Sequence, residues 1–235
     1  MKIDKGLDTN DGDDDDDGAS VRMLLPIPDL ESLLDRAYTL GVYGTKARSL
    51  VLNPRRPHQI DALVRQQFDL ARRVLARGLV PIVEPEVAVC QASTADKKAC
   101  EEILCRALLR ELDRLAKEGN GDGNDCDGDG DGDGDDTTHG RNIRKVLIKI
   151  TLPETPNQYG ECVDHTACLG VVALSGGYSR ETANAKLAHN RGVVASFSRA
   201  LSEGLSHSMT DDEFDAKLSD SIGAICEASA AALVE

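Results

Sequence analysis

KVLIKI, residues 145–150, decides the reading of the fold. Val146, Leu147, Ile148 and Ile150 read as a short strand buried on both faces, the pattern of a parallel sheet. Lys149 interrupts the run, and an unpaired ammonium at that position would be costly to desolvate. Either the side chain snorkels to water from a strand end, or the amine has a use.

Outward from this stretch, strand-like and helix-like segments alternate. GVYGTK (41–46), LVPIVE (79–84), GVVALS (170–175) and GVVASF (192–197) are further strand candidates, and MKID at the start could end a sixth. Helices are expected over 29–39, 57–77, 95–118, 157–167 and 179–189. Pro57 suits a first helical turn and Gly78 a C-terminal cap. Ile60, Leu63, Val64, Phe68, Ala71, Val74 and Leu75 recur at helical spacing, as do Ile103, Leu104, Leu108, Leu112 and Leu115. The last helix opens at TDDE (210–213), a capping box of Thr210 and Glu213, and its buried stripe is expected at Phe214, Leu218, Ile222 and Ile225.

Strand–helix alternation implies right-handed βαβ units and a parallel sheet, either an open doubly wound sheet or a (β/α)₈ barrel. No G-x-G-x-x-G follows an early strand, which weakens the dinucleotide-binding alternative. Polar residues at the strand ends favour the barrel: Lys46, Glu84, Lys149, Ser175-Gly176-Gly177 and Ser198-Arg199. In a barrel such ends converge on one mouth, and the loops after the last two strands often hold phosphate. A glycine-rich turn at a helix start, together with a guanidinium, suits a phosphoryl group.

The formal charge of −14 is concentrated in two stretches. Residues 8–17 hold seven Asp, and residues 118–136 hold eight Asp and one Glu, with no base in either. Without those sixteen charges, −14 becomes +2, so nothing argues for a nucleic-acid or membrane partner. No apolar run approaches membrane-spanning length. Seven cysteines without C-x-x-C fit reduced thiols in a cytoplasmic compartment better than disulfides, and no Cys/His set has zinc-site spacing.

Seven collinear blocks together resemble class I fructose-1,6-bisphosphate aldolases of the short-tailed bacterial type. They are KIDKG (2–6), LESLLDRA (30–37), YGTKARS (43–49), GLVPIVEPEV (78–87), IKITLPETPNQY (148–159), ALSGGYSRETAN (173–184) and ASFSRAL (195–201). The resemblance implies an incomplete TIM (β/α)₈ barrel of about six βα units. It would form one domain over 1–235, interrupted by acidic inserts at 8–18 and 119–140. KID would belong to the third strand, so the first two βα units would be absent here, and with them an aspartate of the family's active site expected at the end of the first strand.

The resemblance also implies roles. Lys149 would be the Schiff-base lysine, attacking the ketone of fructose 1,6-bisphosphate without a metal or other cofactor. Glu84 would move protons during imine formation and hydrolysis, supported by Glu86. Lys46 would disfavour the charged form of Lys149 and contact substrate. Ser175, Gly176, Gly177 and Arg199 would hold the ketose C1 phosphate, with Lys2 and Arg48 near the other one. The partner would be a small sugar phosphate, cleaved to dihydroxyacetone phosphate and glyceraldehyde 3-phosphate in glycolysis and gluconeogenesis; association into a homo-oligomer stays open.

A Schiff-base aldolase for another ketose phosphate is the nearest alternative enzyme. A further alternative is an inactive aldolase-like fragment serving interaction or weak calcium association. Asp125, Asp127, Asp129 and Gly130 match the start of a calcium-loop pattern, but Asp136 stands where a bidentate Glu is needed. The tract reads chiefly as solvated low complexity.

Overall fold

A computed structural model describes residues 1–8, 19–88, 93–120 and 145–234. The calcium-loop pattern and most of both acidic inserts lie outside them.

KVLIKI forms β4 (Val146–Thr151), but it is not buried on both faces. Val146, Ile148 and Ile150 are fully buried, whereas Leu147 and Lys149 alternate with them on a half-buried face. The period of two, not the run of apolar residues, describes this strand. The neighbouring strands are β2 (Gly44–Val51), β3 (Val80–Val87), β5 (Cys168–Leu174) and β6 (Val193–Ala195), all parallel. A short β1 (Val21–Arg22) pairs antiparallel with β2, giving the linear order β1-β2-β3-β4-β5-β6. The result is an α/β sheet with the architecture of an incomplete barrel.

Several sequence expectations move. β2 starts three residues later than GVYGTK and runs to Val51. The sixth strand is Val21–Arg22; MKID contributes a parallel bridge, Lys2 to Lys46, on the same edge of β2. There Ile3 N–H donates to Lys46 O at 3.0 Å and Lys46 N–H to Met1 O at 2.8 Å. β3 continues through EPEV, although Pro85 lacks an N–H. The neighbouring N–H on that side of the strand, from Val87, donates to Thr151 Oγ, and the Thr151 hydroxyl donates back to Val87 O, both at 3.0 Å. A side chain thus completes the β3–β4 ladder where the backbone cannot.

The helices α1 (Leu30–Thr39), α2 (Pro57–Leu75), α3 (Thr94–Asn120), α4 (Gly160–Val163), α5 (Arg180–Ala188) and α6 (Asp211–Val234) follow the strands. α2 ends as expected: Gly78 has φ 70°, its N–H reaches Leu75 O, and Leu79 N–H reaches Val74 O. The helix expected over 157–167 shrinks to the single turn of α4; Asn157, at φ 60°, stands ahead of it and β5 begins by Cys168. The α6 capping box forms, with Thr210 N–H donating to Glu213 at 2.9 Å and Glu213 N–H to Thr210 Oγ at 3.3 Å.

The α6 stripe does not bury as expected. Phe214 is 38% and Ile222 46% exposed, while Ser221, Ala228 and Ala232 pack inward. Small residues let α6 approach α5 and β6 closely, which turns the larger ones away. The main core lies between α2, α3 and the outward face of the strands, around Phe68, Leu104, Leu108, Val83, Ile148, Ile150 and Val171. The opposite face carries the site. Among the described residues no helix is long and apolar enough to cross a membrane.

Candidate functional site

Alternation along parallel strands sends Lys46 and Arg48 of β2, Glu84 and Glu86 of β3, and Lys149 of β4 to the face away from the helices. The register places Arg48 beside Glu84 and Leu50 beside Glu86, so the charged side chains form adjoining rows.

At the centre is Glu84, whose side chain is only 4% exposed. One carboxylate oxygen forms an ion pair with Lys149 Nζ at 3.2 Å, and the other makes a very short contact with Lys46 Nζ. Lys149 is 16% and Lys46 27% exposed, so one buried carboxylate bridges two partly dried amines. The desolvation that makes Lys149 look misplaced in sequence is offset by this shared anion. Within hydrogen-bond reach of both nitrogens, Glu84 can hand a proton to either or take one from either.

Glu86 has its own partner. Arg48 Nε donates to Glu86 Oε2 at 2.5 Å, and this hydrogen bond holds the guanidinium above its usual range. Arg48 N–H reaches Asp4 Oδ2 at 3.4 Å, and Asp4 pairs with Lys2 Nζ at 3.2 Å. The amino-terminal segment thereby adds a further row to the same face, beyond β2. Asp4, buried beside this row, escaped the sequence reading; its alternation with the buried Ile3 was the available signal.

Ser175, Gly176 and Gly177 form a tight turn after β5. Tyr178 N–H donates to Ser175 O at 3.0 Å, and the two glycines have φ 64° and 96°. Side chains rarely tolerate those values, so this turn needs glycine twice. Ser179 then caps α5, its hydroxyl accepting from Thr182 N–H. Ser175 is buried; Arg199, beyond β6, is exposed.

The sequence reading missed Arg180, which ties this turn to the loop holding Arg199. Its guanidinium donates to Glu203 O at 3.1 Å and Ser221 Oγ at 2.5 Å, while its N–H donates to Glu203 Oε2 at 2.6 Å. The two loops after β5 and β6 are therefore cross-linked by one arginine. The structure joins Lys46, Glu84 and Lys149 directly, and Arg48 with Glu86 beside them. Lys2 sits on the adjoining edge, and the two loops follow the ends of β5 and β6.

No protein-family model matches the chain. It is 41% identical over 229 residues to a class 1 fructose-bisphosphate aldolase of Synechocystis sp., across 97% of this chain and 64% of that protein. It is 40% identical over 229 residues to the class 1 fructose-bisphosphate aldolase of Porphyromonas gingivalis, across 97% of this chain and 65% of that one. The chain thus spans just under two thirds of the length of these relatives. Among solved structures, a fructose-bisphosphate aldolase from Plasmodium falciparum, in complex with TRAP and a small-molecule inhibitor, superposes with a TM-score of 0.64. The match covers 100% of this chain and 69% of that one at 19% identity, a likeness of fold.

Proposed function

We propose, from its 41% and 40% identity to the two class 1 fructose-bisphosphate aldolases, that this chain belongs to their family and that its inner sheet face performs Schiff-base cleavage of fructose 1,6-bisphosphate. The observation that carries the reading is the Lys149–Glu84–Lys46 bridge, a nucleophilic amine and a proton carrier 3.2 Å apart on adjacent strands.

Uncharged Lys149 Nζ attacks the C2 ketone, and the carbinolamine loses its hydroxyl as water when Glu84 supplies a proton. The iminium draws electrons from C3, so the C3–C4 bond breaks as the C4 hydroxyl gives up its proton to a base. Glyceraldehyde 3-phosphate departs and an enamine remains. Protonation at C3, followed by hydrolysis, returns the amine and releases dihydroxyacetone phosphate. The nitrogen serves as electron sink, so the scheme needs no metal.

Lys46 keeps Glu84 oriented and adds positive charge beside the nucleophile. The Ser175-Gly176-Gly177 turn and Arg199 take the C1 phosphate, through backbone N–H groups and a guanidinium. Lys2 and Arg48, on the other side of the lysine, take the second phosphate. Residues 1–235 make up part of an aldolase barrel domain, interrupted by the acidic inserts, acting on a soluble sugar phosphate in the cytoplasm.

Borohydride reduction in the presence of dihydroxyacetone phosphate should add one ketose to the chain, and Lys149→Ala should abolish the adduct. A wild-type chain that stays unmodified at saturating ketose phosphate contradicts the reading.

A further inference from the structure

A second charge cluster lies behind the phosphate turn. Lys97, in the first turn of α3, has a side chain only 3% exposed. Its ammonium donates to Leu152 O at 2.8 Å, Glu154 Oε1 at 2.7 Å and Tyr178 Oη at 2.9 Å, with Glu101 Oε1 3.2 Å away as an ion pair. Tyr178 in turn donates to Glu154 Oε1 at 2.5 Å. Lys186 of α5 meets the other Glu154 oxygen at 2.9 Å. Both ammonium groups sit about the tyrosine ring, 5.1 and 5.0 Å from its centre.

We infer that Lys97, through Tyr178 and Glu154, positions the phosphate turn relative to the nucleophile's strand. The inference rests on the aldolase reading only for what the turn binds. Leu152 and Glu154 lie just past the end of the strand that carries Lys149, and Tyr178 closes the Ser175 turn. One ammonium therefore grips the ends of β4 and β5 at once. A turn with two glycines has the most backbone freedom to lose, so its N–H groups hold a phosphate in register only if something outside fixes it. The hydroxyl of Tyr178 both accepts from Lys97 and donates to Glu154, and two ammonium groups lie over the ring, leaving this side chain little freedom. Burying Lys97 would be costly without these acceptors; the cluster supplies them and converts that cost into a fixed geometry.

Tyr178→Phe keeps the ring and removes the hydroxyl, so it separates positioning from folding. Amide hydrogen exchange across 173–179 should rise about tenfold, the effect of losing roughly one hydrogen bond's worth of local stability. Exchange in α2, α3 and β4 should stay as in the wild type. In borohydride trapping, the half-saturating concentration of dihydroxyacetone phosphate should also rise about tenfold, with the limiting rate unchanged. Lys97→Met should shift both readouts further; if it fails to fold, Tyr178→Phe decides alone. Unchanged exchange in the turn overturns the inference, as does a fall in limiting rate without a change in half-saturation. Loosened exchange in Tyr178→Phe, together with a wild-type chain that traps no ketose, supports the positioning of the turn while sinking the aldolase reading.

Discussion

The two faces of the same five parallel strands solve opposite problems. Toward the helices, Val83, Ile148, Ile150, Val171 and Ala173 are dry and wholly apolar, held by area and packing alone. Toward the other side, Lys46, Arg48, Glu84, Glu86 and Lys149 are partly dried charges held in pairs. A single residue step along β4 crosses from one regime to the other. The first face gives a stiff platform; the second spends that stiffness on holding amines and carboxylates within reach of one another.

The largest effect should come from the charged face. Glu84→Gln keeps the shape but removes the proposed proton carrier, and the rate of ketose trapping should fall by about 10²–10⁴. A rate equal to wild type would make Glu84 a structural counter-ion only. On the apolar face, Ile148→Ala should cost about 2–5 kcal/mol in urea unfolding, while Lys149→Ala should stay within about 1 kcal/mol. Equal losses at the two positions would erase the distinction between the faces.

Glu154 offers a pH test. Burial raises its carboxyl affinity for protons, but hydrogen bonds from Lys97, Tyr178 and Lys186 outweigh it and bring the group from the ordinary 4.5 to about 2. A carboxyl lowered by folding stabilises the protein above about pH 4.5, and that contribution drains away as pH falls toward 2. Between about pH 6 and pH 3 the wild type should therefore lose on the order of 1–2 kcal/mol more than Glu154→Gln. Parallel stability curves for the two proteins would mean the cluster does not hold its charge. The smallest effect is expected on α6, where Ile222→Ser should change stability by no more than about 0.5 kcal/mol.

That last expectation marks where sequence reasoning stopped. Helical spacing picks out Phe214, Leu218, Ile222 and Ile225 correctly as a face, but spacing cannot say which neighbour the face meets. Here the helix turns its serine and alanines inward. Elements whose burial follows from their own periodicity were legible: the α2 stripe, the Gly78 cap and the Thr210–Glu213 box all form. The edge of β2 was not, because two separate segments share it and short pairings leave little periodic trace. Of the site, Lys46, Glu84 and Lys149 were legible as charges set into apolar strands. They lie inside β2, β3 and β4, however, rather than at the strand ends the sequence suggested, because β2 and β3 run on past them. Arg180, Lys97 and Tyr178 were not legible, since each reaches its partners through side-chain contacts between elements distant in sequence.

Two amines share Glu84, and only one is assigned as nucleophile. Peptide mapping of the borohydride-trapped chain by tandem mass spectrometry asks directly which nitrogen formed the imine. The reduced ketose should sit on Lys149, with Lys46 unmodified; an adduct on Lys46 in the wild-type chain would contradict the assignment.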